Sequence, residues 1–187
     1  LERSFPARVR LISRMEATMS YGRFAAMIVT STVVMFGLMY LNTYALDHVT
    51  CSQTRTLMAL LMGAVMAIIM MLFMWSMYKN KTTNAAIIAA SVVVFAGSLW
   101  LVRSQETVYD ISYMKAMIPH HSIAIMTSER AHIRDPRVRK LADGIIEAQV
   151  REIAEMKSLI ADLEAHSAPG DAPDLLSYRQ RGAPPPE

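Results

Sequence analysis

One cysteine, Cys51, stands among 187 residues, so no disulfide can close within the chain and no thiolate-rich zinc site can be built from it. Proline is missing from three long apolar stretches, residues 21–46, 57–78 and 85–102, and none of them holds an internal Asp, Glu or Lys. Nothing there breaks a helix or charges its middle. Glycine-rich phosphate loops are absent, as are Ser/His/Asp and Cys/His nucleophile arrangements and strand-like alternation. These absences argue against an enzyme. Large aromatics are few, with 5 Phe and 2 Trp, whereas Met occurs 16 times.

What is present is apolar surface. Hydrophobic residues make up 53% of the chain and the mean hydropathy is positive, which points to a membrane protein. Each apolar stretch approaches the ~20 residues that a helix needs to cross hydrocarbon. The net charge of +3 is unevenly placed: residues 1–102 carry 8 Lys/Arg against 3 Asp/Glu, and residues 103–187 carry 11 against 13. The positive excess therefore reads as a topology signal, not a nucleic-acid footprint.

Arg3, Arg8, Arg10, Arg14 and Arg23 precede or open the first stretch, and Lys79 and Lys81 flank the turn between the second and third. The first connection holds only Arg55. The positive-inside rule then places the N-terminus and the Lys79/Lys81 turn in the cytoplasm. Three crossings leave everything after Val102 outside, in the periplasm if the membrane is a bacterial inner membrane. Trp75, Tyr78, Tyr40, Tyr44 and Trp100 lie near stretch ends, where aromatic belts are expected. The first apolar run is too long for a cleaved signal peptide. The chain begins at Leu1 and not at Met, so a native start that is missing or altered is expected.

Beyond residue 102 the pattern becomes amphipathic. Asp110 is expected to cap a helix to about Ile133, and Asp135-Pro136 to open another to about Ala165. The organisation is then a basic segment at 1–20, a three-helix transmembrane region at 21–102, a helical hairpin at 103–165 and a disordered Pro/Ala/Gly-rich tail at 166–187. The fold class is all-α: three transmembrane helices followed by an extramembrane amphipathic hairpin. Two such helices bury little surface, so a homodimer through the hairpin, or packing on the membrane helices, is expected.

The run MIPHHSIAIM carries the chemistry. At about 100° per residue, Met114, Met117, His121 and His120 share roughly a third of a helix turn, with His120 at the edge of the arc. Met126 points away from His121. Pro119 inside a helix removes the bond to the Lys115 carbonyl and should leave that oxygen free; alternatively the helix starts near Pro119. The second helix has an expected core stripe of Leu141, Ile145, Gln149, Met156, Ile160 and Leu163. Gln149, with Glu152 on its flank, could orient a facing imidazole.

Thioether with imidazole is a soft donor set. It suits Cu(I) and, by the same softness, Ag(I), while the density of carboxylates that Ca²⁺ or Mg²⁺ needs is missing. His48 and Cys51 form a further metal-competent pair at the outer end of the first span. Met58, Met62, Met66, Met70 and Met74 recur every fourth residue, beside a small-residue row of Ala59, Gly63 and Ala67. That row reads first as packing and second as a thioether path. Glu129 and His132 match half of a di-iron E-x-x-H pattern, but iron is not expected from one copy.

The sequence Tyr113-Met114-Lys115-Ala116-Met117-Ile118-Pro119-His120-His121, with Ala124, Leu141, Ile145, Gln149, Glu152, Ile153 and Met156, resembles the bacterial "domain of unknown function 305" family. The resemblance covers roughly residues 105–165, and the membrane half resembles its membrane-anchored branch. It implies a ferritin-like helical domain, usually exported, with some members binding copper and silver in the periplasm. Carried over, it makes Met114, Met117, His120 and His121 binding positions, with Met126 and Met156 beside them. The chain departs from the pattern at Thr127, where members often have Met. The expected function is soft-metal binding in copper homeostasis or tolerance, without catalysis and without nucleic acid. The alternative is a non-catalytic accessory or assembly subunit of a larger membrane complex.

Overall fold

A computed structural model describes residues 20–166, 173–178 and 180–182. The basic segment at 1–19 and tail positions 167–172, 179 and 183–187 lie outside the described residues. Among the described residues the chain is all-helical, with no strand: α1 Tyr21–Leu38, α2 Gln53–Phe73, α3 Lys81–Ser104, α4 Asp110–Arg130 and α5 Pro136–Ala165, plus a 3₁₀ turn at Leu46–His48. Helices α1, α2 and α3 are long and apolar enough to cross a membrane. Many of their large side chains face outward, among them Val33, Phe73 and Val93, as hydrocarbon-facing positions do.

Polar caps set the helix starts. The side chains of Ser20, Ser52 and Asn80 accept from the backbone N–H groups of Arg23, Arg55 and Thr83. Asp135 accepts from Arg137 N–H at 2.8 Å, with Pro136 at the first helical position. Asp110 is not the cap of α4 but its first residue; the cap position is Tyr109, whose N–H donates to Ser112 Oγ at 2.8 Å. That helix ends at Arg130, short of Ile133.

The first span ends at Leu38, not near residue 46. The reason is tertiary. An Arg55 N–H donates to the Met39 carbonyl, its guanidinium lies 4.4 Å over the Tyr40 ring, and the Tyr40 hydroxyl accepts from Ser52 N–H. Those contacts turn the chain while its sequence is still apolar. The second span correspondingly starts at Gln53 and ends at Phe73.

Small residues bring the spans together. Ala59, Gly63 and Ala67 are buried on α2, and a Cβ at Gly63 would run into the Thr32 side chain of α1. Of the methionines beside them, Met71 is fully buried while Met58 and Met77 are exposed. Where α2 turns into α3, Tyr21 stacks on Tyr78 at 4.8 Å, and Phe24 meets the same ring edge-on at 5.9 Å. Asn84 is fully buried there; its Oδ1 accepts from the Tyr21 hydroxyl at 2.7 Å. Tyr78 is thus a core residue and not part of an aromatic belt, whereas Trp100 is exposed.

Helices α4 and α5 pack on each other through Ile118, Ile125 and Ile153, with Ile146, Met156 and Ile160 around them. The pairs Lys115–Glu164, His121–Glu152 and Arg139–Ser128 carbonyl show the two helices running in opposite directions. The expected α5 stripe holds at Met156 and Ile160, but its N-terminal half is turned by about one residue: Ala142 is buried, Leu141 is 65% exposed and Ile146 packs on the core. Residues 39–52 dock against this pair. Tyr44 N–H donates to Ser122 Oγ at 2.7 Å, His48 Nδ1 lies 2.9 Å from the same oxygen, and Asp47 pairs with Lys157 at 2.6 Å.

Candidate metal cleft

Helix α4 runs through Pro119. The carbonyl of Lys115, deprived of its helical donor, does not stay free: the Thr50 hydroxyl donates to it. This bond ties the loop before α2 to the helix that carries the histidines.

An open cleft of about 450 Å³ lies between α4 and α5. Its walls include Met114, Met117, Met156, His121 and Glu152, five residues singled out from the sequence. Asp110 and Glu155 add two carboxylates to the rim, a contribution that no spacing rule reveals because they come from different helices. Met114 is buried, and Met117 and Met156 are partly buried.

His121 is the polar centre of the cleft. Its side chain is 14% exposed, and Nδ1 lies 3.1 Å from Glu152 Oε2. The approach is too far off-line for a good hydrogen bond, so the contact is chiefly electrostatic. Nε2 has no protein partner among the described residues. Burial pushes the imidazole below its ordinary pKa; Glu152 opposes this, and His120 adds to it. The ring is therefore neutral, and able to act as a donor, down to lower pH than an exposed histidine.

His120 does not enter this cleft. It is exposed on the other side of α4, with its ring centroid 6.3 Å from that of His121, and lines a second cleft with Arg55 and Gln105. Met117 lines both. Gln149 lies elsewhere, on a groove of α5 with Arg137, Lys140 and Leu141, so the structure does not bring it to the imidazoles. Met126 lines none of these clefts, and His132 is exposed beyond the end of α4. Of the His48/Cys51 pair, His48 is engaged by Ser122, and Cys51 is exposed on a cleft with Gln53 and Asp110. Burial lowers the His48 pKa, partly offset by Asp47.

Among the described residues no three His, Cys, Asp or Glu side chains gather as a metal-binding group. The α4/α5 cleft gathers three thioethers, one imidazole and three carboxylates.

Residues 101–180 match the model of the family described as "Domain of unknown function (DUF305)". Over that region the chain belongs to the DUF305 family. The cleft, both histidines and all of α4 and α5 fall within it. An uncharacterized protein of Acanthamoeba polyphaga mimivirus is 34% identical over 105 residues, covering 55% of this chain and 67% of the viral protein. No solved structure matches.

Proposed function

We propose that this DUF305 protein binds a soft monovalent metal ion, Cu(I) or Ag(I), in the cleft between α4 and α5. One observation carries the reading: three thioethers, Met114, Met117 and Met156, line one cleft with a largely buried imidazole, His121. Soft polarizable sulfur with neutral nitrogen matches Cu(I) and Ag(I) better than zinc, calcium or iron. Glu152 would hold the ring through Nδ1 and leave Nε2 for the ion. Asp110 and Glu155 at the rim favour a cation over an anion.

The cellular role that fits is non-catalytic copper homeostasis or tolerance, with the cleft held at the outer face of a bacterial inner membrane by α1–α3. The flanking cations support that orientation. A second reading, an accessory subunit of a larger membrane complex, is favoured by the exposed Val138, Leu141 and Val150 on α5, which could equally meet a second copy.

The test is a competitive Cu(I) titration on the full chain in detergent. Wild type should bind one ion tightly, and Met114→Leu/Met156→Leu should lose at least about tenfold in affinity, with His121→Ala losing more. Equal affinity in all three would remove the metal reading. Purification of the wild type with a fixed stoichiometric protein partner and no copper would favour the subunit reading.

A further inference from the structure

The second cleft, on the other side of α4, has the opposite chemistry. It encloses about 270 Å³ where the first turn of α2 and the end of α3 meet α4. Its polar walls are Ser52, Thr54, Arg55, Gln105, Tyr113 and His120, and no carboxylate is among them. The neighbouring cleft has three.

Arg55 is the decisive residue. It is partly buried, and no acidic group pairs with it among the described residues. The carboxylate nearest in sequence, Asp47, is already held by Lys157. One Arg55 N–H donates to the Met39 carbonyl and the guanidinium face covers Tyr40; its remaining N–H groups have no acceptor among the described residues. A half-buried cation without a protein counter-ion, whose free N–H groups remain accessible, is open to an anion.

The surrounding side chains are also short of acceptors. The Thr54 and Tyr113 hydroxyls and the His120 ring have no hydrogen-bond partner among the described residues, while Gln105 uses one amide N–H on the Val102 carbonyl at 2.6 Å and keeps the other. Guanidinium with hydroxyl, amide and imidazole donors is a recognition set for a phosphate oxyanion. The position matters too. Arg55 and Gln105 sit at the same end of two membrane-long helices, and the ends of such helices are where phosphate headgroups are expected.

We infer that this cleft is a phosphate-oxyanion site, with Arg55 as its fixed cation and Thr54, Gln105, Tyr113 and His120 as donors. Its ligand is a phosphodiester headgroup of the adjoining leaflet or free inorganic phosphate, which share this chemistry. His120 then serves a different ligand from His121.

The experiment uses the full chain in detergent, with Arg55→Gln and Thr54→Val/His120→Leu beside wild type. Arg55→Gln also removes the tie to Met39, so circular-dichroism melts first establish which variants fold. The double variant leaves that tie intact and decides the matter if Arg55→Gln does not fold. Phospholipid retained after delipidation is counted by phosphorus-31 NMR, and inorganic phosphate is titrated by calorimetry. Retained phospholipid that falls at least about tenfold in a folded variant assigns a lipid headgroup. Phosphate binding that the variant loses, without retained lipid, assigns the free ion. Equal retention and equal titration in wild type and folded variants overturns the site, as does binding of neither probe by wild type.

Discussion

Two clefts flank one helix, share Tyr113 and Met117, and take opposite sides of the charge balance. The α4/α5 cleft has thioethers, one buried imidazole and three carboxylates; the cleft facing the spans has a guanidinium, hydroxyls and no carboxylate. Adjacent histidines in the sequence fall on different sides of this divide. A helix turns about 100° per residue, so neighbours separate by a quarter turn or more, and Pro119 fixes the backbone just before them. A doubled histidine on a helix therefore need not be a bidentate pair.

The sharpest way to break that comparison is to mutate the histidines singly. His121→Ala should lower Cu(I) affinity by about a hundredfold or more, and His120→Ala by less than about threefold, measured by competition with a chromophoric chelator. Equal losses would mean that both rings serve one ion and that the division into two clefts is wrong. Glu152→Gln should fall between them, at roughly tenfold, because it perturbs the ring rather than removing it.

A change in the spans should leave the comparison standing. Gly63→Val places methyl groups where Thr32 already lies, and should destabilise the α1–α2 crossing by about 1–3 kcal/mol. Thr32→Ala in the same chain should recover part of the loss. The measurement is thermal unfolding in detergent, with Cu(I) affinity of the folded fraction unchanged. If affinity fell with stability, the cleft would depend on the bundle more closely than the docking contacts imply.

Much of the architecture was legible in the sequence. Unbroken apolar runs gave the three candidate spans, and Asp135-Pro136 marked a helix start by capping chemistry alone. The end of α1 was not legible, because residues 39–41 are as apolar as the helix before them; only Arg55 and Ser52, distant in sequence, turn the chain there. The phase of α5 was ambiguous for a similar reason. Ile145 and Ile146 are both apolar, and the isoleucines of α4 decide which one is drawn inward. For the site, the helical arc placed Met114, Met117 and His121 together and His120 at its edge, which is the residue that fell outside the cleft. Asn84, Ser122 and Arg55 were underweighted. Their signal is a polar side chain within or beside an apolar segment, where burial demands a partner.

The link between domain and spans can be loosened at Ser122. Ser122 Oγ accepts from Tyr44 N–H and can donate its own proton to His48 Nδ1 while that nitrogen is unprotonated. Ser122→Ala leaves both without a partner and should cost about 1–2 kcal/mol. The same contact makes the link sensitive to acid. His48 and His121 both have lowered pKa values in the folded chain. Each therefore contributes stability that is present above the ordinary imidazole value, about 6.5, and is lost as pH falls through the lower folded value. Melting temperatures of the metal-free wild type should be flat from pH 8 to about 7 and fall below about 6.5, with a smaller drop in Ser122→Ala/His121→Gln.

The smallest effect should come from the ion pair that looks strongest. Asp47 meets Lys157 at 2.6 Å, and this contact spans the two halves of the chain as Ser122 does. Both side chains reach into solvent, where salt and water screen the charge and ordering two flexible groups offsets the attraction. Lys157 holds the Asp47 carboxyl below the usual carboxylate range, so the pair persists through mildly acidic pH and its loss cannot cause the fall near pH 6. Asp47→Asn should leave the melting temperature at neutral pH within error; because the Asp47 charge partly offsets the lowering of the His48 pKa, the variant should keep the acid fall and deepen it slightly. Disappearance of the acid fall in Asp47→Asn would instead move the pH sensitivity from the largely buried imidazoles to the surface pair.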